Sequence, residues 1–456
     1  MWLIVYNLLF PLLALVFLLV GCLGSRRRTF FKEITNLENL KERLAIHGAN
    51  PEARTWFHAA SLGEVKCLQE LLNLIRGQTP RSLSPLLKGL PAGLSPIHLT
   101  TMTSAGKAWA QENYLKRGLV SSVALIPLDF WPCVSAYLDK MTKLRTLILV
   151  ETELWPNLIT YAKKRGLKLA LINARVSNKS LRLRPVLAGL LNLFDVIGVS
   201  SEENLRRFQD CGAEQKRLIL TGNLKWDFEP PPGLSNESQF LAIREHYGFT
   251  KDDFIWVAGS TREGEEAVIL EAFKNLLPKY PHLRLVLVPR HLERVPQVKS
   301  IVNSAEISRH SRESGNPELL GNLDPRLRGG DEKSKVTLID KFGVLTSLYA
   351  IADCVFVGGT LFLGAGGHNF LEPIAFGKSV VVGPYFENFK EVGELLIKRG
   401  VLRVAANARE LGEFLNQLIS NPLVARDLSQ KSIQTTQDLR GATPKTYQLL
   451  GTVLNN

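Results

Sequence analysis

Cysteine is scarce: the chain of 456 residues has five (Cys22, Cys67, Cys133, Cys211 and Cys354), widely spaced and without a CxxC pair. That excludes a disulfide framework and fits a reducing compartment. Other signatures are missing too. There is no D-x-D triplet, no H-E-x-x-H helix and no His/Cys cluster, which disfavours a metal-dependent mechanism. No G-x-S-x-G elbow offers a serine nucleophile. The glycines follow neither the GxGxxG dinucleotide fingerprint nor the GxxxxGK[ST] loop of P-loop NTPases. Zinc-finger spacing and RNP-type aromatics are also lacking. The formal net charge of +13 therefore points away from nucleic acid and toward a phosphorylated substrate or an anionic membrane surface.

What is present begins with an apolar N-terminus. Residues Trp2 to Leu23 are interrupted only by Tyr6, Asn7, Pro11, Gly21 and Cys22, and about 20 such residues suffice to span a bilayer. No charge precedes the run, whereas Arg26, Arg27, Arg28 and Lys32 follow it, so the positive-inside rule puts the body of the protein in the cytoplasm. The expected element is a membrane-spanning anchor over residues 1–24. Two rivals stand beside it. A secretory signal lacks the charged leader it needs here. Leu19-Val20-Gly21-Cys22 resembles a lipoprotein processing box, opposed by the uncharged leader and the arginines downstream.

The body alternates short β-rich apolar runs with longer amphipathic segments, the pattern of parallel-sheet α/β domains. Strands are predicted at Thr55–Ala59, Leu144–Val150, Leu167–Ile172, Val196–Val199 and Leu218–Leu220. After the proline run Pro230-Pro231-Pro232 they resume at Phe254–Ala258, Leu285–Val288, Val336–Leu338, Cys354–Val357 and Val380–Val382. The expected organisation is a domain over 35–227, a linker over 228–234, a second domain over 235–425 and a helical C-terminal segment over 426–456. Two Rossmann-like, doubly wound domains would face a cleft, where strand carboxyl ends place ligands. Residues 78–96 read as a surface loop. Residues 308–335 lack apolar periodicity and read as an inserted, unpacked loop; Ser311–Asp331 resembles the translated product of a mobile palindromic DNA repeat.

Four motifs sit at predicted strand ends. Ser61-Leu62-Gly63-Glu64 is a capping box opening a helix from Leu62 to Ile75, or a carboxylate held over the cleft as a general base. Glu151 and Glu153, in Glu151-Thr152-Glu153-Leu154-Trp155-Pro156, would point the same way if the chain stays extended; they are functional acids, solvated acids or partners of Arg175. Gly259-Ser260-Thr261 leads into a helix whose N–H groups suit a phosphate, with Arg290 at the next strand end as a clamp; Glu265 and Glu266 there complement the helix dipole. Gly358-Gly359-Thr360 and Gly364 to Pro373 form a glycine-rich turn. In it Glu372 is either an N3 cap partner of Asn369 or a ligand-binding acid.

These segments, in order, resemble the Kdo (3-deoxy-D-manno-octulosonic acid) transferases of lipopolysaccharide synthesis. The matching pieces are Phe57 to Glu64, Thr100 to Thr103, Val150 to Asn157, Asn173 to Arg175, Thr221 to Lys225, Ala258 to Thr261, Val288 to His291, Val357 to Pro373, Gly383-Pro384 and Asn388-Phe389. The stretch Leu338 to Gly343 departs from the family's wording. The resemblance implies a GT-B fold and inverting transfer of Kdo from CMP-Kdo to a glucosamine hydroxyl of the lipid A precursor, with no cofactor and no metal. It implies Glu64 as general base and a part for Glu151 or Glu153. It further implies Ser61, Gly63, Arg175 and Lys225 on the acceptor side, Gly259, Ser260, Gly366, Gly367, Asn369 and Arg290 around the donor, and Glu372 on the ribose. The enzyme would sit on the cytoplasmic face of an inner membrane.

Overall fold

A computed structural model describes residues 3–9, 36–77, 96–176, 184–228, 230, 234, 237–305, 335–341 and 343–454. The described chain divides into two compact units, 3–227 with 439–454 and 228–438. Most of the anchor, of the loops at 78–96 and 308–335 and of the linker lies outside the described residues. Among the described residues no helix is long and apolar enough to cross a membrane.

The first unit is a seven-stranded parallel sheet in the order β3-β2-β1-β4-β5-β6-β7. Its strands are β1 (Thr55–His58), β2 (Ile97–Thr101), β3 (Ser122–Leu125), β4 (Thr146–Val150), β5 (Lys168–Ala174), β6 (Val196–Val199) and β7 (Leu218–Leu220). Alternation sends Trp56, Leu147, Leu149, Leu169 and Leu171 into one core. Phe57, Ile148, Val150, Ala170 and Ile172 go into the other, the mark of a sheet buried on both faces. The C-terminal helix Ala442–Leu454 belongs to this unit. The Asp227 carboxylate accepts from the amides of Gly441 (2.7 Å) and Thr443, and Ala442, Tyr447 and Leu450 enter the second core. The C-terminal segment expected over 426–456 is thus divided between the units.

The second unit is six-stranded and parallel, β10-β9-β8-β11-β12-β13. It comprises β8 (Phe254–Thr261), β9 (Leu283–Pro289), β10 (Val336–Leu338), β11 (Cys354–Val357), β12 (Ser379–Val382) and β13 (Leu402–Val404). Both sheets share one logic: the first strand of the unit lies centrally, and strand order reverses beside it, between β1 and β4 and between β8 and β11. Crevices at the carboxyl ends of such strands are where α/β sheets bind ligands. The helix expected over 62–75 is two, Leu62–Cys67 and Gln69–Ile75, broken at Leu68.

Candidate functional site

In the first unit the reversal point carries acids. Ser61 N-caps the helix Leu62–Cys67 as the capping box requires. Its hydroxyl accepts from the Glu64 amide at 3.3 Å and donates to Glu64 Oε1 at 3.0 Å, while the Ala60 amide donates to Oε2 at 2.8 Å. The cap therefore fixes the carboxylate beyond the end of β1, only 9% exposed. Burial raises its pKa to about 7, the charges of Glu151 and Glu153 add to that, and the two hydrogen bonds oppose it. Gly63, in the same first turn, has only the Ser61 hydroxyl close to where a Cβ would lie.

Glu151 and Glu153 do not share one side of an extended strand. β4 ends at Val150, and Glu151 turns to φ +63°, a left-handed conformation unusual for a side-chain-bearing residue. Its carboxylate is 1% exposed. Oε1 lies 2.5 Å from Lys225 Nζ and within 3.5 Å of the Asn173 amide nitrogen. Oε2 is 2.6 Å from Arg175 Nη2, an ion-pair distance without hydrogen-bond alignment. Asn173 is itself left-handed (φ +51°) and accepts from the Leu224 amide at 3.0 Å, tying the end of β5 to the Lys225 turn. Glu153 points elsewhere: Oε2 accepts from Trp155 Nε1 at 2.8 Å and stands 3.5 Å from His58 Nε2. His58 is fully buried. Sequence spacing did not single out His58 or Asn173, although both lie at strand ends within the motifs quoted above.

In the second unit the reversal point carries cations and glycines. Residues Gly358 and Gly359 follow β11 so closely against β8 that a Cβ on Gly358 would stand 2.3 Å from the Ser260 carbonyl oxygen. Gly366 has φ +74°, and a Cβ there would be 2.6 Å from Asn388 Nδ2. Gly367 donates to the Gly359 carbonyl at 2.8 Å. Ser260 is left-handed (φ +57°) and Gly259 lies against the buried Tyr349.

Glu265 does more than complement a helix dipole. Only 1% exposed, it accepts from the amides of Arg262, Gly359, Thr360 and Leu361 at 2.8, 2.8, 2.9 and 2.9 Å. Three amides that follow β11 are thus held by a protein carboxylate. Glu266 is paired by Arg294 at 2.9 and 3.1 Å and receives the Thr261 hydroxyl at 2.8 Å.

The same unit gathers a cluster of basic side chains. Arg262 Nε is 3.3 Å from His368 Nε2. Burial, then the charges of Arg262, Arg290 and His291, push the His368 imidazole down to about 3. His291 is likewise lowered, by partial burial and by Arg262 and Arg290. Among the described residues no carboxylate pairs with Arg290, which lies at the end of β9. The Glu293 carboxylate, 3.5 Å from His291 Nδ1, opposes the shift of His291.

Asn369 does not cap a box with Glu372. Its side chain accepts from the Leu371 amide at 3.1 Å, Phe370 is the N-cap, and Glu372 accepts from the Thr346 hydroxyl. That frees the Glu372 carboxylate from a capping role beside Tyr349.

A parallel α/β chain with a raised, positioned carboxylate at one reversal point and a cationic, glycine-lined turn at the other has the parts of a glycosyltransferase. The family model described as 3-deoxy-D-manno-octulosonic-acid transferase (kdotransferase) matches residues 38–228. The chain is 30% identical to the 3-deoxy-D-manno-octulosonic acid transferase of Haemophilus influenzae over 91% of each protein. It is also 30% identical, over 79% of its length, to a bifunctional glycosyltransferase/methyltransferase of Fusobacterium nucleatum, of which it spans about half, 51%. Among solved structures, a UDP-GlcNAc 2-epimerase from Neisseria meningitidis aligns with a TM-score of 0.54 over 88% of this chain and 98% of that one, at 12% identity, a likeness of fold alone. The chain belongs to the 3-deoxy-D-manno-octulosonic acid transferase family.

Proposed function

We propose that this enzyme transfers Kdo from CMP-Kdo to a glucosamine hydroxyl of the lipid A precursor lipid IVA, inverting the anomeric centre and releasing CMP. The observation that carries the reading is Glu64: a buried, doubly hydrogen-bonded carboxylate with a pKa near 7. Such a group takes a proton at neutral pH yet is a stronger base than an ordinary glutamate. As the acceptor oxygen bonds to the anomeric carbon, its proton passes to Glu64 and the bond from that carbon to the phosphate oxygen breaks. The electron pair leaves with CMP, already a good anion, so fixed charges suffice and neither metal nor cofactor is needed. Arg290, with Arg262 and His291 beside it, receives the phosphate. Gly259, Ser260, Gly366, Gly367 and Asn369 shape the donor turn, and Glu372 meets the ribose hydroxyls.

Glu151 and Glu153 keep Glu64 basic by like charge. Ser61 and Gly63 complete the turn that holds it. Arg175, whose side chain is 40% exposed, meets an acceptor phosphate, while Lys225 is held nearer Glu151. The protein attaches to an inner membrane through its N-terminal apolar segment, both units lying on the cytoplasmic side with Arg26 to Arg28.

The test is incubation of the full chain with CMP-Kdo and lipid IVA, followed by mass spectrometry of the lipid. Addition of Kdo mass is expected. Its absence where another Kdo transferase succeeds, or conversion of a UDP-sugar instead, overturns the reading.

A further inference from the structure

The helix Leu345–Ile351 is seated at the reversal point of the second unit. A Cβ on Gly259, near the end of β8, would stand 2.5 Å from Tyr349 Oη and 3.0 Å from Leu345 Cδ2. Thr346 and Tyr349 are three positions apart and so share one face of this helix. That face meets the short helix Leu371–Ala375. The Thr346 hydroxyl donates to Glu372 Oε1. Tyr349 lies close enough for the Glu372 charge, after burial, to raise its phenol pKa.

Two adjacent hydroxyls on the helix do different work. Ser347 Oγ donates back to the Val344 carbonyl at 2.8 Å, the common local use of a hydroxyl in a helix. Thr346 does not bond its own backbone; its proton goes to a carboxylate 26 positions along the chain. The first turn stands without that bond, since the Leu348 amide reaches the Val344 carbonyl at 3.1 Å.

Glu372 is partly buried. An ionised carboxylate only accepts, and its two oxygens have room for about four donors. Among the described residues Thr346 is the one side chain that donates to it, and Oε2 receives no hydrogen bond. The backbone below is fixed as well, because Asn369 Oδ1 accepts from the Leu371 amide at 3.1 Å. A long, unheld glutamate would have to be ordered by each ligand on arrival. One held beforehand spares that ordering.

We infer that Thr346 is a positioning residue for the donor nucleotide: its hydroxyl fixes Glu372 Oε1 and leaves Oε2 turned to accept from the ribose hydroxyls. The inference rests on the reading that Glu372 meets the ribose, and adds to it the group that aims the carboxylate. Thr346 acts through Glu372 and touches no ligand itself. Its hydroxyl, and not its bulk, is what the nucleotide site uses.

The test is calorimetric titration of the full chain with CMP and with 2′,3′-dideoxy-CMP, which keeps base and phosphate but lacks both ribose hydroxyls. Thr346→Val keeps the shape and removes the hydroxyl. It is expected to weaken CMP by about 5–10-fold, the scale of one hydrogen bond, and the dideoxy nucleotide by less than about twofold. Thr346→Ser should restore CMP affinity. The KM for CMP-Kdo should rise in step with the CMP Kd, with a smaller change in kcat. In a Glu372→Ala background Thr346→Val should shift CMP affinity by less than about twofold, because the two residues act as one.

If Thr346→Val fails to fold, as melting would show, Thr346→Ala takes its place in the same comparison. Unchanged CMP binding in a folded variant, equal weakening of both nucleotides, or no recovery in Thr346→Ser overturns the inference. So does a loss that persists in the Glu372→Ala background, which would put Thr346 on the ligand. Glu372→Ala alone separates the two levels. If it does not selectively weaken CMP, the ribose reading fails and the inference falls with it. If it does and Thr346→Val does not, the inference alone is wrong.

Discussion

The two units repeat one topology and put opposite chemistry at the same place in it. After the first strand of each unit a turn enters a helix that carries a buried glutamate: Glu64 after β1, Glu265 after β8. Glu265 accepts from four backbone amides, which satisfies its oxygens and locks the glycine turn. Glu64 accepts from one amide and one hydroxyl, and burial first, then two neighbouring carboxylates, raise its proton affinity. The difference is the number of donors and the sign of the surrounding charge. One glutamate is scaffold; the other has the setting of the base proposed above.

The largest effect expected from breaking this contrast is on turnover. Glu64→Gln should lower the transfer rate by about 10²–10⁴-fold, the range for loss of a general base, with CMP binding retained. Its stability should move the other way. Folding raises the Glu64 pKa from 4.5 to about 7, so the native state holds the extra proton between those values and wild-type stability falls as pH rises through that window. Thermal melting of Glu64→Gln should be free of that fall and match or exceed wild type above pH 7. Glu265→Ala should do the reverse. Stranding four buried amides should cost about 3 kcal/mol or more, read as a large drop in melting temperature at every pH between 5 and 8. A Glu265→Ala protein as stable as wild type would remove the scaffold role.

Arg290→Ala should raise the KM for CMP-Kdo by about 10–100-fold, the equivalent of one charge-assisted hydrogen bond of about 1.5–3 kcal/mol, with a smaller change in kcat. It should also raise the His368 pKa from about 3, since one of its repelling charges is gone; the imidazole shift is readable by NMR. Glu151→Gln removes one of the charges that hold the Glu64 pKa up, so the alkaline rise in activity should move to lower pH. The smallest effect is expected from excision of residues 311–331. A passenger segment should leave transfer within about twofold, and a well-folded but inactive deletion would assign it a role.

Much of this was legible in the chain. Ten strands stand out as apolar, β-rich runs, and the Ser61–Glu64 box located the buried, positioned carboxylate because a cap and a fixed carboxylate are the same local geometry. β2 escaped notice because Ile97-His98-Leu99-Thr100-Thr101 looks polar. In the fold His98 is buried and satisfied by Tyr137 and Ser122 at 2.7 and 2.8 Å. β3 (Ser122–Leu125) and β13 (Leu402–Val404) are short, and each includes a polar residue, Ser122 and Arg403. Glu265 looked like a dipole partner because three of the four amides it holds lie more than 90 positions away. The extended reading of Glu151 and Glu153 failed for a local reason: φ +63° at Glu151 turns the chain toward Arg175 and Lys225. No periodicity announces a left-handed residue other than glycine. The return of the C-terminal helix to the first unit through Asp227 is equally non-local.

The central claim is that Glu64 acts as the base because its surroundings raise its pKa, and the pH dependence of kcat/KM for lipid IVA tests it most directly. The account predicts an ascending limb with an apparent pKa near 7 in wild type, displaced to lower pH by Glu151→Gln and absent from the residual activity of Glu64→Gln. A profile flat from pH 5 to 8, or a limb that survives unchanged in Glu64→Gln, would contradict it.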